Sequence, residues 1–312
     1  MHDVKFGLLL PADDFAAAKT AALRAESTGF HSVSMIDHFF TPLGEPQTPV
    51  LECYTTLTAI AAMTEHIRLT PCVTCISFRT PPALAKIAST LDNVSNGRLT
   101  LGLGAGWKPD EYMAHGYSYP SNRTRLDQLE EAIQVLKAMF TQEEPSFQGE
   151  HFSIDKAYNN PRPVQRPHPP LMLGGSASGL LRIATAEADI LNINPPVFNG
   201  KDYQNDPAMA LKFDTRYLKR RLGMLHGYME ECGRSPDEIE LGALMVLHLS
   251  HDPTDPTLAQ TAAFLGFPDA ESAFGSPLTL MGTPDQVRQK LYTRAKEMGI
   301  MYTIVIPVSA ES

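Results

Sequence analysis

Short apolar runs alternate with amphipathic segments along this chain, and the alternation predicts strands that are each followed by a helix. The clearest unit starts with a β-rich run over residues 67–73. A segment with apolar residues at helical spacing follows; it opens at Pro81-Pro82 and closes at Asn96-Gly97, where glycine tolerates a left-handed cap. Residues 98–103 form the next predicted strand. Strands joined in this way run parallel, so the loops after them emerge at one edge of a sheet, where α/β proteins bind ligands.

The same reading over the whole chain predicts an α/β fold, a single (β/α)8 TIM barrel with insertions at its carboxyl-terminal rim. The predicted strands cover residues 4–10, 32–36, 67–73, 98–103, 171–173, 189–193, 239–247 and 302–306. Further helices are predicted over residues 14–28, 51–64, 124–140 and 207–232 and in a segment that ends near residue 187. The last helix begins at Thr283, where Gln286 completes a capping box, and ends at Gly299.

Four longer connections interrupt this pattern, at residues 107–122, 142–170, 194–206 and 252–276. They are expected to supply lids and substrate walls, because such segments usually follow the strands of a rigid scaffold. The chain contains neither a linker nor an internal repeat, so residues 1–312 are predicted to form one domain.

Composition narrows the class of protein. With 43% hydrophobic and 20% charged residues, the chain is typical of a globular protein with a substantial core. Its net charge of −9 argues against nucleic acid or an anionic membrane as a general partner. No apolar run approaches the about 20 residues that span a bilayer, and the N-terminus has no basic leader, so a cytoplasmic protein is expected. Cys72 and Cys75 have CxxC spacing without a second pair or a histidine cluster, which favours ordinary cysteines and no metal.

Asp37 and His38 end the second predicted strand and would lie at the carboxyl rim of the barrel. A histidine there can donate a proton, accept one or hold a reacting oxygen near neutral pH, and Asp37 can orient it or bind a cofactor group. A solvated loop pair is the alternative. Glu111 and Tyr112 are expected near the same rim, where they would shape a substrate pocket.

Two glycine-rich turns are further candidates. The run from Gly102 to Gly106 is not a dinucleotide fingerprint, because that motif requires glycine where this chain has Trp107. It predicts either backbone that lies flat against a planar ligand, with Trp107 as a wall, or glycines required by tight packing. The second turn, residues 174–179, lies between a strand and a helix and predicts an anion site for a phosphate, with Ser176 and Ser178 as hydroxyl donors. Three arginines either add positive charge or are solvated: Arg79, Arg123 and Arg125.

These residues resemble the bacterial luciferase-like family of barrel oxidoreductases over nearly the whole chain. The resemblance lies in KFGLLLP, GFHSVSMIDHF, TPCVTCISFRTPPALAKIASTLDNVSNGRLTLGLGAGW, PPLMLGGSASGLLRIATAEADI and GTPDQVRQKL. One branch of that family binds FMN and mostly performs monooxygenation with an external flavin reductase. The other binds the deazaflavin coenzyme F420 and transfers hydride. The Asp-His pair after the second strand resembles the F420 branch, since FMN-dependent members more often have Glu-His there.

The resemblance implies an enzyme that uses coenzyme F420, with FMN as the alternative cofactor. It implies that Asp37 helps bind the coenzyme and that His38 is the catalytic residue facing its reactive ring. It also implies a non-proline cis peptide at Cys75-Ile76, forming a bulge against the back of the ring. The other implied coenzyme-binding residues are Thr74, Gly104, Ala105, Gly106 and Trp107 around the ring and Gly174, Gly175, Ser176, Ala177, Ser178 and Gly179 around the phosphate.

One position departs from the family. Some sugar-phosphate or alcohol dehydrogenases of this branch carry a catalytic Glu where this chain has Trp107, which puts a proton relay of their type in question. His38 would then act alone, or the substrate would need no strong acid. Two alternatives stay open: an FMN-dependent monooxygenase with a separate flavin reductase, and a barrel that binds flavin without turnover. A small-molecule substrate and a homodimer are expected in either enzymatic case.

Overall fold

The computed structural model describes residues 4–42, 45–195 and 212–308, and within them the predicted alternation of strands and helices is present. The strands are β1 (Lys5–Leu9), β2 (Ser32–Met35), β3 (Arg68–Pro71), β4 (Thr74–Cys75), β5 (Leu101–Gly104), β6 (Phe147–Gln148), β7 (Ser153–Ile154), β8 (Leu171–Gly174), β9 (Ile190–Asn192), β10 (Glu240–Leu249), β11 (Thr279–Gly282) and β12 (Ile300–Pro307). The helices are α1 (Phe15–Ser27), α2 (Cys53–Ala61), α3 (Pro81–Val94), α4 (Pro109–Ala114), α5 (Asn122–Thr141), α6 (Ser178–Glu187), α7 (Thr215–Glu231), α8 (Pro256–Phe264), α9 (Ala270–Gly275) and α10 (Pro284–Met298).

The chain divides into two compact units. The first contains β1, residues 175–186 and the described residues from 190 onward, and its β12 pairs in parallel with both β1 and β10. Strand β10 also pairs in parallel with β9 and β11. An apolar cluster lies beneath α8 and α9; it comprises Val246, Leu258, Ala262, Leu265, Phe267, Ala273 and Met281.

The second unit contains the described part of residues 10–174 and residues 187–189. Strand β2 pairs in parallel with β3, and β5 pairs in parallel with β4 and β8. Helix α3 has proline in its first turn, and the left-handed Asn96 and Gly97 follow its end, at φ 53° and 83°. Parallel pairing places the carboxyl ends of β4 and β5 at one edge, where the candidate residues Cys75 and Gly104 pair.

The insertions contain more regular structure than was predicted. Residues 107–122 include α4, residues 142–170 include the hairpin β6–β7, and residues 252–276 include α8 and α9. Strand β4 lies where a loop was predicted, and β11 was not predicted. The predicted insertion at 194–206 and the start of the predicted helix at 207 lie largely outside the described residues, and the described helix α7 begins at Thr215.

Across the described ranges, no helix combines the length and apolar character needed to cross a membrane. The four cysteines are free thiols, and three of them are buried. Among the residues that the structure describes, no group of His, Cys, Asp and Glu is arranged to hold a metal ion.

Helix α10 carries two cations one turn apart that bond to backbone carbonyls: Arg294 is buried and Lys290 is partly buried. Arg294 is 3% exposed and donates a 3.0 Å hydrogen bond to the Ser276 carbonyl, and Lys290 Nζ donates to the Phe274 carbonyl. Burial, and then repulsion from Arg294, lowers the pKa of Lys290 from 10.5 to about 6. Both side chains therefore donate to carbonyls at the end of α9, and burial of Lys290 disfavours its charged form.

The Lys290→Met variant is expected to flatten the pH dependence of stability. Because the pKa of Lys290 is lower in the folded than in the unfolded state, folding releases a proton, and the free energy of unfolding rises with pH between about 6 and 10.5. One proton accounts for at most about 1.4 kcal/mol per pH unit. Urea unfolding at several pH values should show this rise in the unmodified protein and in a Lys296→Met control, whose lysine is exposed on the same helix. If the free energy of unfolding depends on pH in the same way in all three proteins, the assignment of this dependence to Lys290 is contradicted.

Candidate active site

Asp37 and Arg79 join the loop after β2 to the loop after β4. Both oxygens of the Asp37 carboxylate accept from the Arg79 guanidinium at 2.8 Å, and Oδ2 also accepts from the Cys75 backbone N–H at 2.9 Å. Asp37 is only 4% exposed, and Arg79 extends on to the Glu52 carboxylate at 2.7 Å. Burial opposes the charge of Arg79, but the hydrogen bonds and charge of Asp37 outweigh it and raise the pKa of Arg79 above its usual value.

His38 is held by a buried carboxylate from α4. Its Nδ1 lies 2.7 Å from Glu111 Oε2, and the other carboxylate oxygen accepts from the Phe39 backbone N–H. The Glu111 side chain is 1% exposed and that of His38 is 15% exposed. Among the described residues, His38 Nε2 has no hydrogen-bond partner, so one ring nitrogen is fixed by the protein and the other remains for a ligand.

Trp107 lies beside this histidine, with its ring nearly perpendicular to the imidazole and the two centroids 5.7 Å apart. Lys108 is buried against the same aromatic surface: its ammonium lies 5.6 Å from the Trp107 ring centroid and 5.3 Å from that of Phe40. Its carboxylate partner is Asp110 at 3.2 Å. The side of the site formed by Trp107 is therefore flat and apolar, and the Lys108 charge beside it is paired with Asp110.

The glycines that precede Trp107 are required by packing inside the protein. A Cβ on Gly104 would lie 2.7 Å from Val73 Cγ2, and one on Gly106 would overlap the Tyr112 hydroxyl. At Gly102 it would overlap the Pro71 carbonyl oxygen. Of the two interpretations that the sequence left open, tight packing accounts for these glycines, and a role for Gly104, Ala105 and Gly106 against a planar ligand stays a prediction.

The loop after β4 differs from the prediction in one respect. The non-proline cis peptide joins Cys72 to Val73, so the prediction at Cys75-Ile76 was wrong. Thr74 and Cys75 instead form strand β4 beside β5, and Ile76 begins a short 3₁₀ turn. The Val73 side chain fills the space next to Gly104 and Gly174, where a Cβ on Gly174 would lie 2.9 Å from Val73 Cγ1.

Cys75 is a neutral, structural thiol. Its sulfur lies 3.1 Å from the Tyr112 hydroxyl, and burial raises the pKa of the thiol to about 11. Arg125 supports the same loop by donating to the Gly106 carbonyl at 3.2 Å and by stacking 4.1 Å from the Tyr119 ring centroid. Arg123, by contrast, is exposed and pairs with Asp127. Each of the three candidate arginines therefore has protein partners of its own.

The predicted anion loop lies at the start of α6, in the first unit from Gly175 onward. Gly175 has a φ of 139°, which favours glycine, and its N–H donates to the Asn192 carbonyl. Ser176 is 1% exposed and donates its hydroxyl proton to the Asn194 carbonyl, so it is not the hydroxyl donor that the sequence suggested. Ser178 is exposed, and the first N–H groups of any helix lack partners within the helix. A phosphate site at Ala177, Ser178 and Gly179 stays a prediction.

Sequence reasoning missed the two contacts that organise the site. It placed Glu111 at the rim only as a wall of the substrate pocket, whereas the structure bonds it to His38. It also treated Arg79 as a cation that was free to solvate or to bind phosphate. An acidic residue a few positions beyond Trp107, at the start of a short helix, was the available signal for Glu111.

Comparison with protein families matches the chain over residues 4–301 to the luciferase-like monooxygenases. An uncharacterized protein of Mycobacterium tuberculosis is 33% identical over 189 residues, which are 55% of this chain and 66% of that protein, just under two thirds of its length. An F420-dependent glucose-6-phosphate dehydrogenase of Kineococcus radiotolerans is 30% identical over 253 residues, 80% of this chain and 69% of that enzyme.

Two solved structures share the fold. One is an F420-dependent secondary alcohol dehydrogenase in complex with an F420-acetone adduct, with a TM-score of 0.80 at 21% identity. The match covers 98% of this chain and 93% of that chain. The monooxygenase RslO1 of Streptomyces bottropensis has a TM-score of 0.74 at 24% identity and is covered to 92%, again with 98% of this chain. These likenesses confirm the predicted (β/α)8 barrel fold.

Proposed function

The chain belongs to the luciferase-like monooxygenase family, a family of enzymes, and we propose that it is an oxidoreductase that uses coenzyme F420 for hydride transfer to or from a small organic substrate. The observation that carries the proposal is His38, whose Nδ1 is fixed by Glu111 and whose Nε2 has no partner among the described residues. The Asp-His pair to which it belongs resembles the F420 branch. Likeness to an F420-dependent dehydrogenase over 80% of this chain supports the same cofactor.

The residues around His38 fit a deazaflavin. A tricyclic ring needs a flat apolar wall and a partly exposed group that exchanges protons beside its reactive carbon. Trp107 supplies apolar surface beside His38, and the 15% exposed His38 supplies the proton-exchanging group. Cys75 is neutral and hydrogen-bonded to Tyr112, so nucleophilic thiol chemistry is not part of the proposal.

Bound F420 would supply a two-electron hydride acceptor or donor. The chain's own residues would supply position and proton exchange: His38 at Nε2 takes a proton from the substrate or returns it, which contributes typically about 10²–10⁴-fold to a rate. Asp37 and Arg79 fix the backbone on either side of the site, and Trp107 limits access of water to His38. In this proposal Asp37 acts through Arg79 and the Cys75 N–H, because its oxygens already accept three hydrogen bonds.

The second candidate is an FMN-dependent monooxygenase. The likeness to the monooxygenase RslO1 is the observation that favours it. It would need a flavin reductase as a partner and would consume oxygen. A homodimer is expected for either enzyme. The remaining alternative, a barrel that binds flavin without turnover, would bind the flavin tightly and convert no substrate.

Side-by-side titration of the purified protein with F420 and with FMN tests the cofactor. We expect F420 to bind at least about tenfold more tightly, a difference of about 1.4 kcal/mol, and to raise the melting temperature further as its concentration increases. Oxygen uptake should be absent during turnover. Preference for FMN, together with oxygen consumption, would overturn the proposal in favour of the monooxygenase.

A further inference from the structure

Glu111 binds two neighbouring groups of the loop after β2 with one buried carboxylate. Oε2 lies 2.7 Å from His38 Nδ1, and Oε1 accepts from the Phe39 backbone N–H. With the side chain only 1% exposed, water does not compete for these oxygens. A carboxylate that is buried to this degree needs hydrogen-bond donors, and these two groups are the donors available to it.

The backbone N–H of Phe39 on Oε1, together with an ionised carboxylate that offers only acceptors, sets the direction of the hydrogen bond to the histidine ring. A backbone amide can only donate, and an ionised carboxylate can only accept, so the pairing with Oε1 has a fixed direction. Oε2 of the same carboxylate then accepts from Nδ1–H. We infer that Glu111 is a positioning residue that fixes the tautomer of His38, with the proton on Nδ1 and a lone pair on Nε2. Neutral His38 therefore meets its ligand as a proton acceptor.

This tautomer restricts the substrate class, and that consequence rests on the proposed function. An acceptor at Nε2 suits a substrate with a hydroxyl or amine on the carbon that is oxidised. The O–H or N–H proton would go to Nε2, bound oxidised F420 would supply the acceptor for the C–H hydrogen with its two electrons, and the carbon–heteroatom bond would become double. In reverse, the proton returns from Nε2 as hydride returns to carbon. A compound without such a proton would gain nothing from this arrangement.

The isosteric variant Glu111→Gln is expected to invert the tautomer of His38. Glutamine has one accepting oxygen and one donating NH₂ group at the two positions that Glu111 fills with acceptors. Because the Phe39 N–H must donate, the amide oxygen turns to it and the NH₂ group faces His38 Nδ1. His38 can then accept that bond only with its proton on Nε2, so the tautomer inverts while the packing is preserved.

Nitrogen NMR of histidine-labelled protein without coenzyme measures the tautomer directly. The chain has 10 histidines, and a His38→Asn variant identifies the His38 signals. We expect a protonated Nδ1 and an unprotonated Nε2 in the unmodified protein at a pH where the ring is neutral, and the reverse in Glu111→Gln. A proton on Nε2 in the unmodified protein would overturn the inference, and this measurement needs no coenzyme to bind.

Kinetics with hydroxyl and amine substrates provide the second readout. Glu111→Gln should lower kcat by about 10²-fold, with F420 affinity and KM little changed, since the lost proton acceptor acts in the chemical step. Glu65→Gln is the matched control, because Glu65 pairs with His66 at 3.8 Å where both side chains are more than four-fifths exposed. A Glu111→Gln protein that inverts the tautomer but keeps full kcat would overturn the positioning role. Failure of F420 to bind the unmodified protein would instead overturn the proposed function and leave the tautomer result standing.

Discussion

The His38→Asn variant is expected to lose about 10³–10⁴-fold in kcat while binding F420 with nearly unchanged affinity. Asparagine retains an N–H group toward the buried Glu111 carboxylate, so the variant avoids leaving that charge without a donor. It lacks the nitrogen at the position of Nε2 and cannot exchange a proton with the substrate. Steady-state kinetics with F420 and a reactive alcohol, together with F420 titration, measure the two effects separately.

The control for this variant is His66→Asn, which changes the same residue type in an exposed carboxylate–histidine pair. We expect it to leave turnover unchanged. Full turnover by His38→Asn, with normal coenzyme binding, would remove His38 from the proposed mechanism. A loss of coenzyme affinity that matches the loss of kcat/KM would mean that His38 contributes to binding and not to proton transfer.

Local signals in the sequence predicted much of the fold, because their physical causes lie within a few residues. Thr283 and Gln286 form the predicted capping box of α10, and Gly299 ends that helix with a φ of 67°. Most strands were predictable from apolar runs; the two-residue strands β4, β6 and β7 are too short to show a period, and the four-residue β11 was not predicted. Arg294 is the exception within α10: nothing local indicates that its long side chain turns inward to the Ser276 carbonyl.

The candidate site was predictable in its residues and not in its contacts. Asp37 and His38 were selected from their place at the end of a strand, which follows from topology alone. Their partners are far along the chain: Arg79 is 42 residues from Asp37, and Glu111 is 73 residues from His38. Each pairing depends on the orientation of a loop, and single-sequence periodicity carries no information about loop orientation. The cis peptide that the resemblance implied at Cys75-Ile76 lies at Cys72-Val73 instead, in the same segment of the chain.

The Arg79→Met variant is expected to destabilise the protein by about 3–5 kcal/mol, the cost of leaving one member of a buried ion pair without its partner. Asp37 is 4% exposed, and Arg79 supplies two of the three hydrogen bonds to its carboxylate. Methionine preserves much of the volume beside Tyr54, so lost packing contributes little. The free energy of unfolding from urea titration measures the effect, and an exposed pair serves as control: Arg123→Met, which removes the partner of Asp127, should produce no measurable change.

The double variant Arg79→Met with Asp37→Asn separates two contributions to the free energy of unfolding: the loss caused by an unpaired buried charge, and the net contribution of the Asp37–Arg79 pair. Because asparagine is neutral, removing the buried charge along with its partner should recover a large part of the lost stability. The amide oxygen that Asp37→Asn introduces can still accept from the Cys75 N–H, so the link between the two loops persists in weakened form. If the double variant is as unstable as the sum of the two single variants, Asp37 and Arg79 act independently, and the pair does not hold the loop after β2 against the loop after β4. If stability recovers but F420 affinity does not, the negative charge of Asp37 has a role in coenzyme binding beyond its contact with Arg79.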